Sequence, residues 1–408
     1  MRIPMSFVAL FIAVALLQVS SGAISPLDAL GGLQSGFSRA QVGLLGSAHF
    51  FGFFIGCWWA PRLIGDIGHA RAFAAFAACG AIGTIAHPIW MEPYPWAVMR
   101  VMTGLCIAGC YTVIEAWFNS EVTNATRGRV LGTYRLIDLS FSMLAQLLIG
   151  FLEPATYLSY NLLAIICCAC LFPLTLTRAT PPASSKMPRL RPIKAFLLSP
   201  LGVVGVVVAG VTTASFRMVG PIYGQEVGLA AEQIGYFLAA FVLGGALAQL
   251  PVGWAADRYD RRWVLIVMSV LAVGASVNMV LYASSSQWSV FFCALLFGMA
   301  SFPVYSIASA HANDFADGNE VVELSASLLF WYAIGAIASP LLSSVLIEEY
   351  GPSALFVFIS VAHIVLATVG LARMLSRPTV EEKTPYRYMP RTSFVIGRLF
   401  KRRTDKRQ

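Results

Sequence analysis

The chain has 408 residues, of which 58% are hydrophobic and only 12% charged, with a net charge of +8. Soluble domains carry about a quarter charged residues, so these proportions, with a mean hydropathy of +0.72, exclude a soluble enzyme or binding module. They describe a chain that lives in a bilayer.

A membrane-spanning helix needs about 20 mostly apolar residues. Stretches of that kind are predicted near 4–25, 40–63, 70–90, 95–118, 130–152, 157–177, 200–223, 231–256, 262–283, 287–310, 323–347 and 353–375. The opening run to Ile24 shares Arg2, an apolar core and the small residues Ser20-Ser21-Gly22-Ala23 with a secretory signal. It reads as the first span, because its removal would leave an odd number. Cys106 and Cys110 in the fourth span are four residues apart on one helix face. They read as small packing residues, since complete metal sites usually have four ligands, and no metal or other cofactor is expected. Between the sixth and seventh spans, Arg178 to Ser199 is rich in Pro and basic residues and reads as a linker. Lys and Arg accumulate in cytoplasmic loops. With the N-terminus inside, the inner connections hold Arg62, Arg71, Arg127, Arg129, Arg178, Lys186, Arg189, Arg191, Lys194, Arg258, Arg261 and Arg262, and the outer ones only Arg39. Both termini are therefore expected in the cytoplasm, and the basic tail is expected on anionic lipid headgroups rather than on nucleic acid.

The two halves repeat each other. Gln41-Val42-Gly43 matches Gln233-Ile234-Gly235 at an offset of 192, where Gly52 also falls on Gly244; at 194, Gly104, Tyr111 and Asn119 fall on Gly298, Tyr305 and Asn313. Two parallel six-helix halves, with a binding site between them at mid-membrane, are a known transporter plan. The expected organisation is a bundle over 1–177, a linker over 178–199, a second bundle over 200–375 and a tail over 376–408.

Between the eighth and ninth spans stands Gly253-Trp254-Ala255-Ala256-Asp257-Arg258-Tyr259-Asp260-Arg261-Arg262. This resembles the signature G-x-x-x-D-R-x-G-R-R of the major facilitator superfamily, with Asp260 in place of the second Gly. The resemblance implies an all-α membrane protein of twelve transmembrane helices in two pseudo-symmetric bundles, with Gly253, Asp257, Arg258, Arg261 and Arg262 as a gating motif. The first-half counterpart, Pro61 to Arg71, is degenerate, with Asp66 one place beyond the expected acid. Arg100 to Gly104 is similar to the family's R-x-x-x-G element. The endings Glu115-Ala116-Trp117-Phe118-Asn119 and Ala310-His311-Ala312-Asn313-Asp314 look like those of poorly characterised bacterial permeases of the superfamily. The Gly-Pro element of drug–proton antiporters is missing from the fifth span.

Charged groups at membrane depth cost about 2.5–3.5 kcal/mol even on the gentlest scale, so they are paired, face a cavity or carry function. Glu115, Arg135, Asp138, Gln146, Arg217 and Arg100 are the candidates for solute or proton binding. Glu115 and Arg135 fall at similar depth and are expected to pair. Tyr134, Asp138, Ser142 and Gln146 form a polar stripe on the fifth span, with Asp138 as the expected proton carrier. Arg217 has no acid within a turn and precedes Gly220-Pro221, a predicted kink, whereas Arg100 is placed to snorkel outward. His49 is a lesser proton candidate; His363 reads as structural, Trp331-Tyr332 and Tyr223 as aromatics that could line the cavity and stack on an organic solute although such positions are usually packing, and His311 to Glu320 as a capping gate segment.

No G-x-x-x-x-G-K-[ST] phosphate loop occurs, and no nucleophile–base constellation of an enzyme is visible. The expected function is movement of a small organic solute by alternating access, coupled to protons, by a monomer in a bacterial inner membrane. The competing readings are proton-driven multidrug efflux and a membrane-embedded sensor or enzyme without flux.

Overall fold

The computed structural model describes residues 5–123, 126–176, 188–282, 286–317, 320–376 and 383–400. The first stretch of the linker and the basic end of the tail, 177–187 and 401–408, lie outside the described residues. The described elements are all helical. The first half comprises α1 (Met5–Gln34), α2 (Arg39–Ile67), α3 (His69–Ala86), α4 (Pro93–Glu121), α5 (Arg127–Leu147), α6 (Tyr157–Ala169) and α7 (Leu171–Thr175), the last two forming one broken span. A short α8 (Pro192–Leu198) leads into the second half: α9 (Pro200–Glu226), α10 (Ala231–Arg258), α11 (Arg261–Tyr282), α12 (Gln287–Ser301) continued by α13 (Val304–Asn313), α14 (Val321–Tyr350) and α15 (Ala354–Ser376).

Among the described residues, eleven spans are long and apolar enough to cross a membrane. The twelfth segment, α5, has 21 residues, which at 1.5 Å per residue reaches across the hydrocarbon core of about 30 Å. It falls short on apolarity alone, since it carries Arg127, Arg129, Arg135 and Asp138. A helix that turns its polar stripe to a cavity needs no apolar face there.

The internal repeat has a physical basis in helix crossings. A Cβ on Gly52 would meet the Val101 carbonyl and one on Gly104 the His49 carbonyl; in the second half one on Gly244 would meet the Leu295 carbonyl and one on Gly298 the Phe241 carbonyl. The same two glycines thus let α2 pass against α4 and α10 against α12 at backbone distance. The repeated Gln does a different job. Gln41 Oε1 accepts from Ser38 N at 2.8 Å while Ser38 Oγ accepts from Gln41 N at 3.2 Å, a reciprocal cap of α2. At α10, Gln233 accepts from Ala230 N at 2.9 Å, and the methyl of Ala230 can return nothing.

Consecutive spans alternate in direction, which gives the bundle two faces. At the face holding the α1–α2, α9–α10 and α14–α15 turns, the halves are sealed against each other. Gly43 lies on Ser344 and the Pro340 carbonyl, Gly46 on Met218, and Gly235 on the Gln146 carbonyl. Arg39 Nε donates to Glu226 at 2.7 Å, and Ala40 N to Glu348 at 2.8 Å. Helix α9 runs unbroken through Pro221, so the predicted break at Gly220-Pro221 is not formed.

At the other face, the one where the chain leaves α15, the basic run expected on lipid headgroups lies mostly outside the described residues, while the stretch before it is packed in protein. The described part of the tail, residues 383–400, folds back into the bundle. Met389, Phe394, Val395, Ile396 and Leu399 are all buried, and burying such side chains yields about 1.5–3 kcal/mol each. Interleaved apolar residues, not the basic ones, decide where this stretch goes.

Candidate functional site

Between the halves lies a cavity of about 120 Å³. Helices α1, α2, α4 and α5 line it from one side, α9, α10 and α14 from the other, and the C-terminal segment closes it at the α15 exit face. Both halves therefore contribute to a single site.

Helix α5 supplies the polar stripe, since Arg135, Asp138, Ser142 and Gln146 follow at helical spacing and all reach the cavity. Arg135 Nη1 donates to Asp138 Oδ2 at 2.5 Å, and Tyr111 donates to Asp138 Oδ1 at 3.1 Å, with Gln18 Oε1 as an alternative acceptor at 3.2 Å. Gln146 donates to the Gly22 carbonyl at 3.2 Å. The expected Glu115–Arg135 pair is not formed. Asp138 is one turn away on the same helix and wins the guanidinium, whose other face lies 3.5 Å over the Tyr388 ring. The Nε and Nη2 of Arg135 are buried without a hydrogen-bond partner.

Glu115 lies beside the tail instead. Tyr134 donates to it at 3.2 Å, and the hydroxyls of Thr392 and Ser393 make short hydrogen bonds to its two oxygens. It is 1% exposed, and among the described residues it has no ion pair. Arg217 lines the cavity with neither a hydrogen bond nor an ion pair among the described residues. His49 lines it too, its Nδ1 3.3 Å from Thr103 Oγ1.

Arg100 is elsewhere. It is fully buried near the sealed face, where Nη1 lies 3.3 Å from Asp28 Oδ2 and Nη2 donates to Ser25 at 2.7 Å; His87 Nε2 is 3.4 Å from the same carboxylate oxygen. Its snorkelling does not occur because α1 extends nine residues past the predicted span end and brings Asp28 to it. Tyr332 lines the cavity, whereas Trp331 donates to the Pro192 carbonyl at 3.1 Å and Tyr223 to the Met279 carbonyl at 3.0 Å. His363 is buried against Thr212 at 3.1 Å.

The motif over residues 253–262 grips the tail. Gly253 leaves room for the Tyr386 ring, and Asp257 accepts from Tyr386 N at 2.6 Å while lying 3.5 Å from Arg261. Arg261, 1% exposed, donates to Asp314 at 2.5 Å and to the Ala310 carbonyl at 2.8 Å, and reaches the Thr384 carbonyl. Asp314 also accepts from Thr384 N at 2.8 Å. Asp260, standing where the signature has Gly, binds Arg262 at 2.7 Å; burial opposes its ionisation, but the bonds from Arg262 hold its carboxyl below the usual carboxylate range. Arg258 stays outside, over the Trp254 ring, and Asp66 of the degenerate counterpart is exposed.

Sequence reasoning missed Gln18, Tyr111, Tyr388 and Arg391 in the cavity and Asp28 beside Arg100. Gln18 and Asp28 were legible as polar residues in an apolar run. Tyr111 was legible as one of the repeat pair, whose partner Tyr305 has its ring 5.8 Å from the Arg391 guanidinium. Arg391 was hidden in a tail read only for its charge.

The sequence pattern of the Major Facilitator Superfamily matches residues 202–404. An uncharacterized MFS-type transporter of Yersinia pestis (strain Pestoides F) is 25% identical over 348 residues, covering 85% of this chain and 88% of that one. The uncharacterized MFS-type transporter YcaD of Salmonella newport (strain SL254) is 26% identical over 353 residues, 85% of this chain and 90% of that one. The crystal structure of nucleoside transporter NupG superposes with a TM-score of 0.75 over 91% of this chain and 100% of that one, at 15% identity, a likeness of fold alone.

Proposed function

Since the chain belongs to the major facilitator superfamily, we propose that it moves a small organic solute across a bacterial inner membrane by alternating access, coupled to protons. The observation that carries this reading is the cavity itself, a polar site at membrane depth built jointly by the two halves and sealed at one face by contacts between their helix ends. Two halves that share a site can rock about it and expose it to either side in turn. The positive-inside bias puts the α15 exit face in the cytoplasm.

Glu115 is the carboxyl we assign to the coupling proton, in preference to Asp138. Asp138 holds the Arg135 guanidinium at 2.5 Å and fixes its position. Glu115 is surrounded by hydroxyls, and hydroxyls can donate to a carboxylate or accept from a carboxylic acid. An ionised carboxylate buried without a cation is costly, so its charge should change as the halves move and water arrives.

Purified protein in proteoliposomes tests the reading. A solute that stabilises the protein should exchange across the bilayer and accumulate under an imposed pH gradient. Binding without exchange would point to a sensor, and exchange indifferent to the gradient would remove the proton from the account.

A further inference from the structure

The cavity is electrically unbalanced. Three guanidinium groups line it, those of Arg135, Arg217 and Arg391, against the single carboxylate of Asp138. Counting Glu115, which lies behind the tail, still leaves positive charge in excess, and His49 adds none unless protonated. Asp138 neutralises Arg135. Arg217 has no partner among the described residues, and Arg391 donates only to Thr213 Oγ1 at 3.0 Å while its guanidinium lies 4.8 Å from the Phe302 ring and 5.6 Å from that of Tyr332. Arg217 and Arg391 face the same space. Unpaired charges at membrane depth are expensive to keep, and a guanidinium offers five donors in a planar fork that fits a carboxylate or a related oxyanion in bidentate fashion.

We propose that this cavity binds a small organic anion, received by Arg217 and Arg391, and that the C-terminal segment 384–399 is a wall of the binding site rather than a lipid-surface tail. The inference rests on the transporter reading and names the class of its cargo. The cavity of about 120 Å³ is several times the ~10–15 Å³ of such space that one water needs, so a small solute can enter, with the rings of Tyr388, Tyr332 and Phe302 as its apolar surround. The segment is fixed at both ends of the stretch that enters the cavity. Asp257, Asp314 and Ser306 hold the backbone of Tyr386, Thr384 and Met389, and Glu115 holds Thr392 and Ser393. Arg391 lies between these anchors, so the family's gating motif places a specificity-determining residue.

Full-length protein in detergent, screened by thermal shift against small carboxylates, sulfonates and phosphonates with their neutral amide and cationic amine counterparts, tests the proposal. Anions should raise the melting temperature and their counterparts should not. Arg217→Gln and Arg391→Gln should each weaken binding of the best anion at least tenfold, and Arg217→Gln should do so without lowering the melting temperature of the ligand-free protein, because it removes an unpaired charge; Arg391→Lys should restore part of the affinity, and Arg71→Gln, on the exposed surface, should change nothing. Hits confined to cations or neutral molecules, or anion binding indifferent to both substitutions, would overturn the proposal. Loss with Arg217→Gln and none with Arg391→Gln would remove the segment from the site. Flux of a neutral or cationic hit in proteoliposomes would keep the transporter and discard the anion, whereas bound anions without flux would do the reverse.

Discussion

Two groups of buried charge sit in the same membrane helices and are built on opposite principles. Near the sealed face, Asp28, Arg100, His87 and Ser25 close on each other. Nearer the middle, Arg135, Arg217 and Arg391 surround an open space with Asp138 as the one carboxylate in its lining. The first group resembles a rivet that joins α1 to α4, since each charge finds its counter-charge inside the protein. The second lacks a counter-charge that something from outside must bring. Balance, not burial, separates the charges we read as structural from those we propose to be functional.

The difference can be broken most severely at the closed group. Arg100→Gln takes from buried Asp28 its guanidinium partner, and breaking a buried pair from one side costs about 3–5 kcal/mol. Folded yield and melting temperature should fall sharply, and replacing Asp28 by Asn in the same protein should recover part of the loss. Additive losses would mean that the two residues are not partners. At the open group the same chemical change should leave stability intact, so that the melting temperatures of Arg217→Gln and the parent protein coincide while solute binding does not.

Glu115→Gln sharpens the comparison from the side of the proton. It should abolish accumulation driven by a pH gradient, at least tenfold, and leave counterflow exchange close to the parent rate, because exchange does not require release of the coupled proton. Asp138→Asn should instead impair both, since it frees Arg135 from its position. If Asp138→Asn alone uncouples the gradient, the assignment between the two carboxyls is reversed. The smallest effect is expected at the rim of the sealed face. Arg39 and Glu226 are 36% and 27% exposed in their side chains, and exposed pairs contribute about 0.2–1 kcal/mol. Arg39→Gln should therefore shift unfolding only slightly.

The sequence displayed the fold through apolar length, the charge bias of the loops and the repeated glycines, because each of these is a local requirement of spanning a bilayer or crossing a helix. The polar stripe of α5 was visible for the same reason, as a break in apolarity at helical spacing. Partner choice was not visible. Whether Arg135 takes Glu115 or Asp138 depends on a few ångströms of helix rotation, and whether Arg100 snorkels depends on where α1 ends. The role of the tail was hardest to read, because its basic residues announce a membrane surface while Met389, Phe394, Val395, Ile396 and Leu399, spaced without helical or strand period, bury themselves among helices far away in sequence.

The central claim is that the unbalanced cavity is the path of the solute. Counterflow of the best-binding solute from the thermal-shift screen, measured in proteoliposomes holding parent protein, Arg217→Gln or Arg39→Gln at equal folded amounts, tests it most directly. The account predicts exchange by the parent and Arg39→Gln at similar rates and a loss of at least tenfold for Arg217→Gln. Parent-like exchange by folded Arg217→Gln would contradict it.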